Sequence, residues 1–173
     1  MINPMNILDA RENRAYLQED LIKKFNLPLL VIRANYPGID KNNKVSKYII
    51  ETMSKTILSN ISPINIKIID SFEGVIYLLS IDNSPSKLKK MTVDIETTHP
   101  LGRLVDIDIL DLNNHTLSRT ELGYPPRRCF ICSDQAHNCV RSSKHSLEEV
   151  LKYIEIKVSD YKNSTENHSN RYK

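Results

Sequence analysis

Three observations predict an α+β fold with a ferredoxin-like split βαβ core. Between Pro28 and Leu110 the apolar period switches between two and nearly four, giving strand, helix, strand, strand, helix, strand. The two middle strands are separated only by Ser71-Phe72-Glu73-Gly74, a turn short enough for a hairpin. Helix start and stop signals bracket the segments of longer period. Two crossovers and one hairpin allow an antiparallel sheet with both helices on one face. A nucleotidyltransferase-like mixed sheet is the alternative that the same order nearly satisfies.

Ile7 to Phe25 reads as an N-terminal helix, with Ala10, Leu17, Leu21 and Phe25 at helical spacing and Asn26-Leu27-Pro28 ending it. Pro28 to Arg33 is the first strand, and Asn35-Tyr36-Pro37-Gly38 is a turn. Val45, Ile49, Met53 and Ile57 mark a helix over 43–60. Ile64, Ile66 and Ile68 alternate with Asn65 and Lys67, the period of a half-buried strand, and Val75 to Ile81 is a more fully buried one. Ser84-Pro85 starts the next helix, because Ser accepts from free amides and Pro needs no donor in the first turn. Leu88, Met91 and Ile95 are its expected inner face, His99-Pro100 its end, and Leu104 to Leu110 the fourth strand. Ser146-Leu147-Glu148-Glu149 is a capping box opening a last helix striped by Leu147, Val150, Leu151, Ile154 and Val158. The expected organisation is one domain over 1–159 and a polar, disordered tail over 160–173.

Hydrophobic content of 40% and charged content of 26% in 173 residues are those of an ordinary globular domain. No apolar run approaches the roughly 18 residues needed to span a bilayer. The N-terminus lacks a basic stretch followed by an apolar core, so a cytoplasmic location is expected and no membrane partner. The net charge of +3 equals that of 127–144 alone, where Arg127, Arg128, Arg141 and Lys144 face one anion, Asp134. Such a local patch suits a compact polyanion, a nucleotide or phosphate group, better than a duplex.

In Val105-Asp106-Ile107-Asp108-Ile109 the aliphatics face one way and the carboxylates the other. At about 3.3 Å per residue the two Asp backbones are roughly 6.6 Å apart, close enough to converge on one ion. Hard carboxylate oxygens suit Mg²⁺ shared with substrate phosphates. A polar strand face that is merely wet is the alternative, although Asp is disfavoured in strands. Gly102-Arg103 just upstream offers a close backbone approach and a cation for a phosphate. Cys129-x-x-Cys132 with Cys139 and His145 supplies four soft ligands for tetrahedral zinc, with His137 a competing ligand. Buried thiols or a redox-sensitive pair are the other readings of these cysteines.

HPLGRLVDIDIL from His99, then LSR, LGYPPRRCFIC, and A-x-x-C-x-R-S with a following His together resemble the apo-citrate lyase phosphoribosyl-dephospho-CoA transferases. LDARENRAYLQ near the N-terminus and Lys41 after the Pro37-Gly38 turn extend the resemblance over Leu8 to about Val158. It implies a holo-acyl-carrier-protein synthase using 2'-(5''-triphosphoribosyl)-3'-dephospho-CoA. The enzyme would attach phosphoribosyl-dephospho-CoA to a serine of the acyl carrier subunit of apo-citrate lyase and release diphosphate. On this reading Asp106 and Asp108 hold Mg²⁺ and help activate the serine hydroxyl. Gly102, Arg103, Arg127 and Arg128 bind the phosphates, with Arg141 and Lys41 as further candidates. In-line displacement needs positioning and charge stabilisation and no nucleophile from the enzyme. His99 and His145 fit a helix end and a zinc ligand better than proton transfer. The competing functions are the equivalent transferase for the malonate decarboxylase carrier and a zinc-containing nucleic-acid-binding module. Against the second, aromatics are only 6%, Trp is absent, and no nucleic-acid partner is expected.

Overall fold

The computed structural model describes residues 4–170, with side chains described through Glu166. The elements are α1 (Pro4–Phe25), β1 (Leu29–Ala34), α2 (Lys44–Leu58), β2 (Asn65–Ser71), β3 (Gly74–Ser80), α3 (Pro85–Thr98), β4 (Val105–Leu110), α4 (Ala136–Arg141) and α5 (Leu147–Asn170). The sheet order is β2-β3-β1-β4 and every neighbouring pair is antiparallel. β1 and β2 therefore run parallel with β3 between them, which is the split βαβ arrangement. A mixed sheet would need a parallel neighbouring pair, and this sheet has none among the described residues.

The local signals work as their chemistry dictates. The Asn43 side chain accepts from the Val45 and Ser46 amides, while the Ser46 hydroxyl accepts from the Asn43 amide at 3.1 Å. Ser84 accepts from the Lys87 amide with Pro85 in the first turn of α3. At α5 the Glu149 amide donates to the Ser146 hydroxyl at 3.1 Å and the Ser146 amide to the Glu149 carboxylate at 2.8 Å. Each reciprocal pair satisfies amides that a helix start otherwise leaves open. The polar segment from Asp160, expected to be a disordered tail, instead continues α5 as helix through Asn170. Tyr161 of that segment packs against the main core and His99. Residues 171–173 lie outside the described residues.

Alternation along the strands divides the interior in two. Leu30, Ile32, Leu79, Ile107 and Ile109 pack against α2, α3 and α5 through Ile49, Met53, Leu88, Ile154 and Val158. On the opposite face Leu29, Val31, Ile76, Leu78 and Leu110 meet Leu21 and Ile22 of α1. The two crossover helices thus share one face as expected, and α1 covers the other. Arg11 and Arg14 of α1 hold Glu73, in the β2–β3 turn, at 3.3 and 2.7 Å. On the α1 face the end of β1 and the middle of β4 stay half-exposed, and this is where Arg33, Asp106 and Asp108 stand. No helix among the described residues is long and apolar enough to cross a membrane.

The inner face of α3 departs from expectation. Leu88 is buried, but Met91 and Ile95 are only half-buried, and Lys89, Thr92, Val93 and Glu96 take the inward positions. The register is shifted because α3 lies along the outer edge of β4, whose free backbone groups need polar partners. Gly102, just after α3, allows that approach: an added Cβ would stand 2.6 Å from the carbonyl oxygens of both Ile95 and Glu96. Backbone cannot yield as a flexible side chain would. Gly102→Ala is expected to cost about 1–3 kcal/mol, read as a fall in Tm of about 2–4 °C per kcal/mol; an unchanged Tm would refute this packing role.

Candidate active site and metal centre

β4 has no strand on its outer side, yet four of its outward backbone groups are bonded. The Ile107 amide donates to Glu96 Oε1 at 3.2 Å, and its carbonyl accepts from Lys89 Nζ at 2.9 Å. Arg127 Nη1 donates to the Val105 carbonyl at 3.1 Å, and the Leu117 amide to the Ile109 carbonyl at 2.8 Å. Three charged side chains and one returning loop therefore take the place of a fifth strand. Their charges are then matched sideways. Arg127 binds Glu96 through Nη2 and reaches Asp106 Oδ1 at 2.6 Å through Nη1. Arg119 stands 4.0 Å from the other Glu96 oxygen. Arg33, directly across from Asp106 in the ladder, reaches Asp108 at 3.1 Å and Asp106 at 3.7 Å.

These groups line a cleft of about 330 Å³, closed on one side by Thr116, Leu117 and Ser118. Arg33, Lys89, Arg119 and Arg127 oppose Glu96, Asp106 and Asp108, so four cations meet three carboxylates and one positive charge is left over. Burial pushes the Glu96 carboxyl up against the opposing pull of Arg127, Lys89 and Arg119. Burial likewise pushes the Lys89 ammonium down, more than Glu96 and Asp108 restore. The Glu96 side chain is 3% exposed, whereas those of Asp106 and Asp108 are 30% and 32% exposed. Glu96 is thus the buried anchor and the two Asp are reachable from solvent. The Nε atoms of Arg33 and Arg119 are buried with no hydrogen-bond partner. An unpaired buried guanidinium N–H is costly.

The structure brings Asp106, Asp108 and Arg127 together as the sequence suggested. Arg103 lies next door, its guanidinium 5.6 Å from the Phe130 ring centre and bonded to the Arg128 carbonyl. Lys41 stays outside the cleft; its Nζ donates to the Tyr36 carbonyl at 2.6 Å, and burial, then Arg11 and Arg33, push its ammonium down. Arg128 and Arg141 are exposed and do not line this cleft. Gly102 is buried, with the Ile95 and Glu96 carbonyls where a side chain would start. His99 accepts from the Leu101 amide at 3.1 Å and meets Tyr161, as befits a helix end. Sequence reasoning missed Arg33, Lys89, Glu96 and Arg119 as site residues. Arg119 sits within the LSR motif and was within reach; Lys89 and Glu96 look like solvent positions on an amphipathic helix.

The cysteine segment forms a compact cluster. Cys132 Sγ is 3.5 Å from Cys139 Sγ and 3.3 Å from His145 Nε2, and all four donor atoms of Cys129, Cys132, Cys139 and His145 lie within 4.8 Å of one another. His137, the competing ligand, is exposed and outside the cluster. All three thiols are free, and Cys139 is buried. Burial opposes ionisation of Cys129, but the Cys132 and Ile131 amides and the neighbouring thiols outweigh it and draw it down. Burial, then hydrogen bonds with Cys132 and Cys129, push the Cys139 thiol up to about 12. The donor set and spacing are those of a closed tetrahedral site for a metal such as zinc.

Two measurements check these arrangements. Arg127→Met leaves Glu96 buried beside an emptied partner position and is expected to lose about 3 kcal/mol or more; adding Glu96→Gln should recover part of the loss, and strict additivity would reject the pair. Elemental analysis of protein purified without chelator should find one zinc per chain, and its removal should lower Tm; a zinc-free protein with the same Tm would reject the metal centre.

Comparison with known proteins finds relatives along most of the chain. A family model described as apo-citrate lyase phosphoribosyl-dephospho-CoA transferase matches residues 3–161. A probable transferase of that name from Vibrio cholerae serotype O1 is 32% identical over 161 residues, covering 90% of each chain. Another, from Streptococcus pyogenes serotype M3, is 36% identical over 154 residues, covering 84% of this chain and 79% of the relative. The match takes in α1, the whole sheet, the carboxylate strand, the cysteine cluster and α5 up to Tyr161. The chain belongs to the apo-citrate lyase phosphoribosyl-dephospho-CoA transferase family.

Proposed function

We propose that this protein, acting in the cytoplasm, transfers phosphoribosyl-dephospho-CoA from 2'-(5''-triphosphoribosyl)-3'-dephospho-CoA to a serine of the acyl carrier subunit of apo-citrate lyase. The serine oxygen forms a bond to the α-phosphorus, the bond from that phosphorus to the bridging oxygen of the β-phosphate breaks, and diphosphate leaves with the electron pair. Beyond family membership, the supporting observation is the cleft itself: two reachable carboxylates among four cations, with buried Nε atoms on Arg33 and Arg119 that lack partners.

In this reading Arg33, Arg119 and Arg127 hold the triphosphate, because planar guanidinium groups pair with phosphate oxygens through two parallel bonds. They spread the charge that builds on the departing diphosphate, and they are already oriented by Asp106, Asp108 and Glu96 before substrate arrives. Asp106 or Asp108 accepts the serine proton. Both Asp are about one-third exposed and stand on one strand face, so the donor set fits Mg²⁺ with its remaining positions left to water and phosphate oxygen. Bound there, Mg²⁺ would supply charge neutralisation and in-line orientation. Lys89 and Glu96, committed to the Ile107 backbone, keep β4 and its carboxylates in register. The cysteine centre holds the segment that carries Arg127 and takes no part in the chemistry.

The test is transfer with substrate, Mg²⁺ and apo-carrier, followed as a mass gain on the carrier serine. Transfer is expected with the citrate lyase carrier; modification of the malonate decarboxylase carrier alone would reassign the substrate. Asp106→Asn and Asp108→Asn should each lower the rate at least about a hundredfold with unchanged circular dichroism. Full activity in both variants would remove the carboxylates from the mechanism.

A further inference from the structure

A second cavity, of about 500 Å³, lies beside the phosphate cleft, and Arg127 forms part of the wall of both. Its character is different. Phe130, Val140, Leu147 and Val150 make it mainly apolar, Cys129, Cys139 and His145 of the metal centre stand in its wall, and among the described residues no Asp or Glu lines it. Arg103 is the second cation on its wall, fixed between the Phe130 ring and the Arg128 carbonyl, and Phe130 in turn stacks on Tyr153 at 5.8 Å. The volume falls within the roughly 300–1,000 Å³ of small-molecule sites. An aromatic ring and a held guanidinium together offer the flat, sequence-tolerant surface on which nucleobases stack.

We propose that this cavity is the purine-nucleoside subsite of the transferase, an inference that rests on the function proposed above. The substrate's triphosphate is joined through one ribose to an adenosine. A ligand with its triphosphate on the Arg33, Arg119 and Arg127 side must therefore place that adenosine within one sugar of the phosphates. The cavity shares the Arg127 wall with the cleft, carries no repelling carboxylate, and is apolar where a base needs to leave water. The remaining diphosphate and pantetheine arm extend towards the open rim, where Val140 and Leu147 are 79% and 51% exposed.

The two chambers can be probed separately, with dephospho-CoA for the nucleoside cavity and inorganic tripolyphosphate for the cleft. Calorimetry on the full chain should find both binding. Val140→Trp, at an exposed position where a bulky ring does not disturb the core, should weaken dephospho-CoA at least tenfold and raise the KM for the transfer substrate similarly. It should leave tripolyphosphate binding unchanged. Saturation-transfer NMR on the unmodified protein needs no variant, and should give its strongest signals at the adenine H2 and H8 protons. Strongest signals from the pantetheine methyl groups would overturn the assignment. So would a Val140→Trp protein with unaltered dephospho-CoA affinity and a raised KM for the carrier, which would give the cavity to the carrier. Tripolyphosphate binding with normal transfer but no dephospho-CoA binding would reject the subsite and leave the transferase function standing. Neither binding nor transfer would reject both.

Discussion

The exposed edge of β4 is the constraint on which this site depends. A strand at the end of a sheet leaves backbone donors and acceptors open, and proteins must cover or blunt that edge. Here Lys89, Glu96 and Arg127 cover it with charge. Once a carboxylate is buried against a backbone amide it needs cations, and Arg127 and Arg119 arrive from the loop after β4. Arg127 then has a second donor to spend, and Asp106 receives it. Structural need and the supply of cations at the site thus have one origin. The arginines that could receive phosphate are the ones that balance a buried edge.

That origin explains how a small sheet gathers cations beside its carboxylates without a glycine-rich loop. The cleft has one net positive charge, and its guanidinium groups are oriented by carboxylates before any ligand enters. Orientation in advance is what makes such groups effective, since little reorganisation is left for the reacting state. α1 contributes by stopping short: it covers β1 and β3 through Leu21 and Ile22 and leaves the Asp106–Asp108 face of β4 reachable.

The cysteine cluster has a supporting place in this arrangement. Arg127 and Cys129 are two residues apart, and the backbone between Arg127 and Ala136 is closed by bonds from the Ala136 amide to the Arg127 carbonyl and from the Cys129 amide to the Asp134 carbonyl, at 2.9 and 2.8 Å. A ligated metal would fix this loop where little apolar burial does: Phe130 is half-buried and Ile131 is 39% exposed. The same loop stands between the carboxylate cleft and the apolar cavity, so one segment borders two chambers of opposite character.

Local sequence signals were enough to read the order of the elements, the hairpin, the Ser84 and Ser146 helix caps and the alternation that puts Asp106 and Asp108 on one face. These follow from contacts within a few residues. The family was legible too, because its motifs are short and lie in fixed order. Tertiary structure decided the rest. Lys89 and Glu96 carry no local mark of burial, since their partner at Ile107 is 18 and 11 residues away and the edge they cover exists only once the sheet is assembled. Arg33 became a site residue through its register against Asp106, and register is a property of two strands. Arg128 and Arg141, alike in sequence to Arg127, face solvent, because position on a loop fixes direction only when something holds the loop. The chain by itself determined which chemistry-bearing residues are present and on which strands and helices they lie. Which of them meet was set by long-range packing around one uncovered strand edge, and no local pattern encodes that.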